Sequence, residues 1–272
     1  MNYVLRRNGV GPGLVDIPEF SKTGLIEINK DEKELPDDAK YVFRWGTTSN
    51  IPGEPKVLNS AKSIHKVFDK RNFRMELGDL APQTWNSFET FLEDSMVFPV
   101  IVRPAQHSRS ENLFVCQTAS EVYRAVKKFP DHYISKFIQK TNEYRVMFCS
   151  GRVIGVIEKI PQNKKAASWG CVDDGNFKYI NWEDWPLMVV TAALQAVKVS
   201  GLDFGAIDVI TDDERPYVLE INSSAWLSPY FCKIFTEAFD FIVLNGPDQI
   251  PYVQTQNFYG YIHPSRYKGA VI

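Results

Sequence analysis

The chain has 272 residues, with 31 Lys and Arg against 33 Asp and Glu and a hydrophobic fraction of 44%. This is ordinary globular composition, long enough to bury a full core, and it excludes collagen-like, low-complexity and disulfide-scaffold proteins. A net charge of -2 gives no overall basic character for nucleic acid.

The longest strongly apolar run, Val97 to Val102, is broken by Pro99 and falls far short of the roughly 20 residues of a membrane span. The start MNYVLRRNGV has no apolar stretch behind its charges, so no signal peptide is expected. Cys116, Cys149, Cys171 and Cys232 are widely spaced with no CxxC pair. Reduced thiols in a cytoplasmic protein are the expectation.

In chain order, residues 1–40 are rich in Gly, Pro and charge and read as loops around short strands. YVFRWG at 41–46 reads as a strand, and TTSNIPGEP at 47–55 is turn chemistry. Asn59 is placed to cap a helix through Ile64, Val67 and Phe68 whose polar side holds Lys62, Lys66 and Lys70. Thr84 is placed to cap another, with Phe88, Phe91 and Leu92 on one face. MVFPVIVRP at 96–104 and NLFVC at 112–116 read as strands, and Thr118 with Glu121 forms a capping box for a third helix. HYISKFI, EYRVMFC and RVIGVIEKI alternate as strands, the last two joined by the turn CSG at 149–151. Pro186 opens a helix that Gly201 closes, and GAIDVIT at 205–211 and PYVLEIN at 216–222 form a hairpin across DDER. From Asn245 onward the pattern is irregular. The sum is an α+β fold: a small N-terminal region, a mixed lobe and a mostly antiparallel lobe.

The hairpin supplies the sharpest chemistry. Residues roughly equidistant from its turn sit opposite each other, so Asp208 and Glu220 can point to one face, and Asn222, two residues beyond Glu220, shares it. Three converging oxygen donors suit Mg²⁺ held with substrate phosphates; the alternative is a solvated polar sheet face. Arg103, where FPVIVRP leaves its strand, is placed for a phosphate or is a surface arginine. Lys70 is open to the same two readings. Glu143 and Arg145 lie on one strand face, with Lys159 across the CSG turn. They could meet ribose and a polyanion, or each other as a surface ion pair. No GxxxxGKS/T or GxGxxG loop occurs.

Taken in order, DK at 69–70, FPVIVRP, FIQ then EYRV, EK at 158–159, GLDFGAIDV and YVLEINSS resemble the ATP-grasp superfamily, over about residues 41–240. The likeness is to its glutamate-ligase-like branch, which includes small phage and bacterial proteins. The resemblance implies two α+β lobes gripping ATP behind a smaller N-terminal pre-ATP-grasp domain. The boundaries it implies are 1–85 for that domain, 86–140 for the small lobe and 141–272 for the large lobe with its tail. It assigns Lys70 and Arg103 to ATP phosphates. Lys136, Phe137 and Ile138 become the hinge holding adenine, and Glu143 binds ribose. Arg145 and Lys159 face the triphosphate or an acyl-phosphate, while Asp208, Glu220 and Asn222 hold two Mg²⁺ ions, for which Mn²⁺ can substitute. The loop AQHSRSEN at 105–112 departs from the family's glycine-rich clamp, since no glycine occurs between Gly78 and Gly151; Ser108 is its candidate phosphate contact.

The implied activity is ADP-forming ligation of a carboxylate to an amine through an acyl-phosphate, on a small molecule, peptide or protein terminus. The implied setting is the cytoplasm, that of the host for a phage protein, with no membrane or nucleic-acid partner and an open oligomeric state. Two rival readings are a phosphotransferase on the same scaffold and a degenerate nucleotide-binding module.

Overall fold

The computed structural model describes residues 1–7, 12–94, 96–105, 112–161, 163, 167, 169 and 176–249. The N-terminal part is a parallel sheet of β1 (Asn2–Arg6), β2 (Leu25–Asn29), β3 (Tyr41–Arg44) and β4 (Lys56–Leu58), with the short helix α1 (Ile17–Phe20) between the first two strands. Strand order is β2-β1-β3-β4. Tyr41 and Phe43 face one side and Val42 the other, which gives the sheet an apolar layer on each face.

Two helices follow, α2 (Ala61–Phe68) and α3 (Lys70–Leu77). Asn59 is not the cap of α2. Ser60 caps it, accepting from the Ser63 amide, and Asn59 is fully buried one residue earlier. Its Nδ2 donates to the Phe204 carbonyl at 3.0 Å and its Oδ1 accepts from the Asp203 amide at 2.8 Å. A cap-type side chain has found backbone partners 144 and 145 residues away, which no local pattern can reveal. The expected single helix is also two, because Asp69 leaves the helical region and caps α3 through the Asn72 amide.

The small lobe is a four-stranded antiparallel sheet, order β5-β8-β6-β7, with β5 (Thr84–Trp85), β6 (Val100–Pro104), β7 (Phe114–Cys116) and β8 (His132–Lys136). Helices α4 (Phe88–Glu93) and α5 (Ala119–Lys128) cover it. Thr84 pairs with Ser135 in the sheet and caps nothing; Ser87 caps α4 in a reciprocal box with Thr90. Thr118 caps α5 by accepting from the Glu121 amide, as its spacing predicts. Trp85, Phe91, Val100, Val102 and Ile134 form an apolar core separate from the others, so this lobe is a packing unit of its own.

The large lobe is an antiparallel sheet, order β11-β10-β9-β12-β13. Its members are β9 (Asn142–Cys149), β10 (Arg152–Ile160), β11 (Asn176–Ile180), β12 (Phe204–Thr211) and β13 (Pro216–Asn222). The helix α6 (Leu187–Ser200) packs on one face against Val146, Val209 and Val218, and ends at Gly201 in the left-handed region. Pro186 is its N-cap, not its first turn. The helix α7 (Pro229–Asn245) lies on the other face and has no counterpart in the sequence reading. It is apolar around most of its surface, with Phe231, Phe235, Phe239 and Ile242 buried, so it shows no clear helical period. Phe239 stacks on Phe43 at 4.1 Å between centroids, so the N-terminal sheet and the large lobe share one core. Among the described residues no helix is long and apolar enough to cross a membrane.

Candidate active site

The face of the large sheet that carries α7 changes character along its strands. Near α7 it shows Cys149, Met147, Ile157, Phe204 and Ala206, all buried in the shared core. Period-two alternation then brings Glu143, Arg145, Lys159 and Asp208 onto that same face. Beyond them it becomes apolar again, with Ile210, Tyr217 and Leu219 packed against Ile138 of the inter-lobe segment. A charged band therefore lies between an apolar core and an apolar slot at the hinge.

Asp208 stands directly opposite both Arg145 and Glu220 in the ladder. Arg145 grips it through two parallel bonds, Nε to Oδ1 at 2.7 Å and Nη2 to Oδ2 at 2.9 Å. Lys159 donates to Asp208 at 3.1 Å and to Glu143 at 2.6 Å. Glu143 also accepts from Lys140 at 2.7 Å. Lys70, at the start of α3, pairs with Glu220, whose other oxygen accepts from Asn222 Nδ2 at 3.1 Å. A register shift between Asp208 and Val209 brings Leu219 and Glu220 together on this face.

Burial pushes the Asp208 carboxyl up, but Arg145 and Lys159 prevail and hold it far below the ordinary carboxylate range. Burial and Asp208 likewise push Glu220 up, while Lys70 and Asn222 hold it at about 2. Lys159 loses solvation yet is held above its ordinary value by Asp208 and Glu143. The band sets four basic side chains against three carboxylates, so it attracts an anion.

Arg103 faces this band from β6 of the small lobe. Burial lowers its pKa, the Tyr133 hydroxyl supports it, and Glu220 and Arg74 lie within electrostatic reach. Arg74, which the sequence reading missed, sits one turn after Lys70 on α3. It donates to the Leu219 carbonyl at 2.9 Å and lies 5.1 Å over the Tyr133 ring, touching both lobes. Lys140 was also missed; it lies 4.6 Å from the Trp169 ring. The i,i+4 spacing of Lys70 and Arg74 could have flagged the first, but nothing local marks the second.

In the hinge, the Lys136 and Phe137 amides bond to the carbonyls of Gln83 at 2.9 Å and Pro99 at 3.0 Å. The Lys136 side chain is exposed, and Ile138 is buried in the slot. Ser108 and most of the 105–112 loop lie outside the described residues, as does Cys171. Among the described residues no group of three or more His, Cys, Asp and Glu is placed to hold a metal. The donor set is instead two facing carboxylates and one amide, which fits Mg²⁺, an ion that takes one or two carboxylates plus substrate phosphates.

Comparison with known proteins places this architecture. A D-alanine–D-alanine ligase of Fusobacterium nucleatum is 28% identical over 175 residues, covering 62% of this chain. The chain spans 58% of that relative's length. The fold matches the crystal structure of D-alanine–D-alanine ligase from Bacillus anthracis with a TM-score of 0.61 at 16% identity, covering 84% of this chain and 88% of the other. It also matches the ATP-grasp ligase PsnB complexed with a minimal precursor, with a TM-score of 0.65 at 12% identity, covering 88% of this chain and 98% of the other. The model of the RimK-like ATP-grasp domain matches residues 59–237, which run from the buried Asn59 through the charged band into α7, and the chain thus belongs to the RimK-like ATP-grasp family.

Proposed function

We propose that the chain is an ATP- and Mg²⁺-dependent ligase that joins a carboxylate to an amine. The observation that carries this reading is the charged band: Asp208, Glu220 and Asn222 on one sheet face, interleaved with Lys70, Arg145 and Lys159 and faced by Arg103 from the other lobe. A degenerate nucleotide-binding module has no need to hold two carboxylates below their ordinary pKa beside so many cations.

In this reading the adenine lies in the apolar slot of Ile138, Ile210, Tyr217 and Leu219, and Glu143 takes the ribose hydroxyls. Lys140, shared between Glu143 and the Trp169 ring, holds Glu143 in place. Lys70 and Arg103 bind phosphate oxygens. Asp208, Glu220 and Asn222 hold Mg²⁺, which when bound neutralises phosphate charge and leaves the γ-phosphorus open to attack. Lys70 then exchanges Glu220 for a phosphate oxygen.

A substrate carboxylate and a triphosphate repel each other. Arg145 and Lys159, fixed in the band before substrate arrives, counter that repulsion and the charge that grows in the transition state. The product is an acyl-phosphate and ADP; the amine then attacks the acyl carbon and phosphate leaves. Because the small lobe has its own core, it can close over the band as a body and exclude water from the acyl-phosphate. The separate PsnB and D-alanine ligase likenesses support amino-acid or peptide substrates.

The test is ATP consumption against a panel of carboxylates with and without amines. ADP and phosphate formed only when both partners are present supports ligation. ADP with a stable phosphorylated product, and no amine requirement, would replace it with phosphotransfer.

A further inference from the structure

The N-terminal sheet holds a charged group that the ligase reading leaves without a task. From β1 the chain moves outward to β2 on one side and returns to β3 on the other. The topological switch therefore lies between β1 and β3. In open parallel sheets the crevice beyond the carboxyl ends of the strands at such a switch is where ligands bind. Arg6 ends β1 and Arg44 ends β3. Arg6 is answered by the Glu27 carboxylate.

Among the described residues no carboxylate is paired with Arg44. It is only 6% exposed, and its Nε and Nη1 are buried with no hydrogen-bond partner among the described residues. Its ladder partner is Leu5, so its side chain emerges on the face of Leu5, Ile28 and Val42, an apolar layer. Burial lowers its pKa. Two guanidinium nitrogens buried without a partner destabilise the free protein. A bound anion would supply the missing acceptor.

Its place in the fold says which ligand. Asn59 Nδ2 bonds the Phe204 carbonyl at 3.0 Å and approaches the Arg44 carbonyl at 3.4 Å, tying the end of β3 to the first residue of β12. Asp208 lies four residues further along β12, about 13 Å at the strand rise. The hinge lies at the opposite end of that strand, where the Thr141 amide bonds the Thr211 carbonyl at 2.7 Å. The end of β3, which carries Arg44, is therefore remote from the adenine slot and beyond the phosphate-binding cations, at the end where β13 leaves the sheet at Asn222.

We propose that Arg44 is a binding residue for a carboxylate of the substrate that is recognised and not activated. A carboxylate clamped by a guanidinium is neutralised and a poor nucleophile, so the group it holds is distinct from the one that attacks ATP. That the carboxylate belongs to a substrate rests on the ligase reading; that Arg44 takes a carboxylate does not.

The test uses the full chain without nucleotide. Wild type and Arg44→Met are melted in sodium chloride, sodium succinate and sodium phosphate at equal ionic strength. In chloride the variant melts about 3 °C higher, because an unpaired buried charge has gone. Succinate raises the melting temperature of wild type more than that of the variant, the shared part of the response belonging to the charged band and to general salt effects; phosphate raises the two equally. Arg44→Gln, which keeps polar atoms, also loses the excess succinate response. Melting below wild type in both variants would make Arg44 a structural group and overturn the proposal. So would an equal succinate response in wild type and variant, no response in wild type, or phosphate acting as well as succinate. ADP binding, measured separately by calorimetry, reports on the ligase reading and is unaffected by these outcomes.

Discussion

Replacing Asp208 with Asn keeps the shape of the side chain and removes its charge. In the native band Asp208 accepts three charge-assisted bonds, at 2.7 and 2.9 Å from Arg145 and 3.1 Å from Lys159, while itself only 5% exposed. The amide offers one acceptor and turns its NH₂ toward a cation. Removing one partner of a buried pair costs about 3–5 kcal/mol. Lys159 keeps Glu143, and Arg145, part-exposed, can turn toward water, which places the cost near about 3 kcal/mol. For a chain of this size that lowers the melting temperature by about 6–12 °C. Asp208 has a depressed pKa in the folded state, so its contribution is present above the unfolded carboxylate value and is lost as pH falls toward the folded one. The deficit of Asp208→Asn is therefore full at neutral pH and shrinks below about pH 4. Melting curves at several pH values, paired with Mg²⁺-dependent ATP turnover, measure both effects. A variant that melts with wild type at neutral pH, or that turns over ATP at the wild-type rate, would falsify the assignment of Asp208 to the centre of the band.

Three further outcomes are expected. Lys70→Met leaves Glu220 facing Asp208 without its cation; the acid-sensitive stability that Glu220 contributes, lost between about pH 4.3 and its folded value of about 2, should disappear from the difference between variant and wild-type melts. An unchanged acid profile would mean the pair is not formed in solution. Gly205→Ala drives a Cβ into the Asn222 carbonyl oxygen, forcing β12 from β13 beside the proposed metal donors; about 1–3 kcal/mol of stability should be lost along with Mg²⁺-dependent turnover, and a silent Ala variant would refute that packing. Cys116, Cys149 and Cys232 are buried and burial pushes their thiols up, to about 11 for Cys116 and about 12 for Cys232. In Cys171→Ser, native protein should therefore show no thiol titrating with Ellman's reagent until denaturant is added; prompt reaction would show that those sites open.

What the sequence could disclose follows from which interactions are local. The hairpin from Phe204 to Asn222 is legible because its turn is polar and its arms alternate, but counting outward from the turn sets Asp208 opposite Leu219, and only the register shift between Asp208 and Val209 brings Glu220 opposite it. The charged pairs beyond it are not legible. Lys159 reaches Glu143 and Asp208 from strands 16 and 49 residues away, and only the sheet order makes them neighbours. Asn59 and α7 were misread or missed for one reason: both are dictated by the shared core of the N-terminal sheet and the large lobe. That core buries an apparent cap at the start of β12 and covers an all-round apolar helix with Phe43 and Trp45. The same core fixes the N-terminal sheet to the charged band, while the small lobe, with a core of its own, is joined through α3 and the hinge. Relative motion within the molecule should then be confined to the small lobe. The distance from Arg44 to Asp208 would stay constant while Arg103 moves against both, as the proposed fixed substrate end and closing nucleotide cover require.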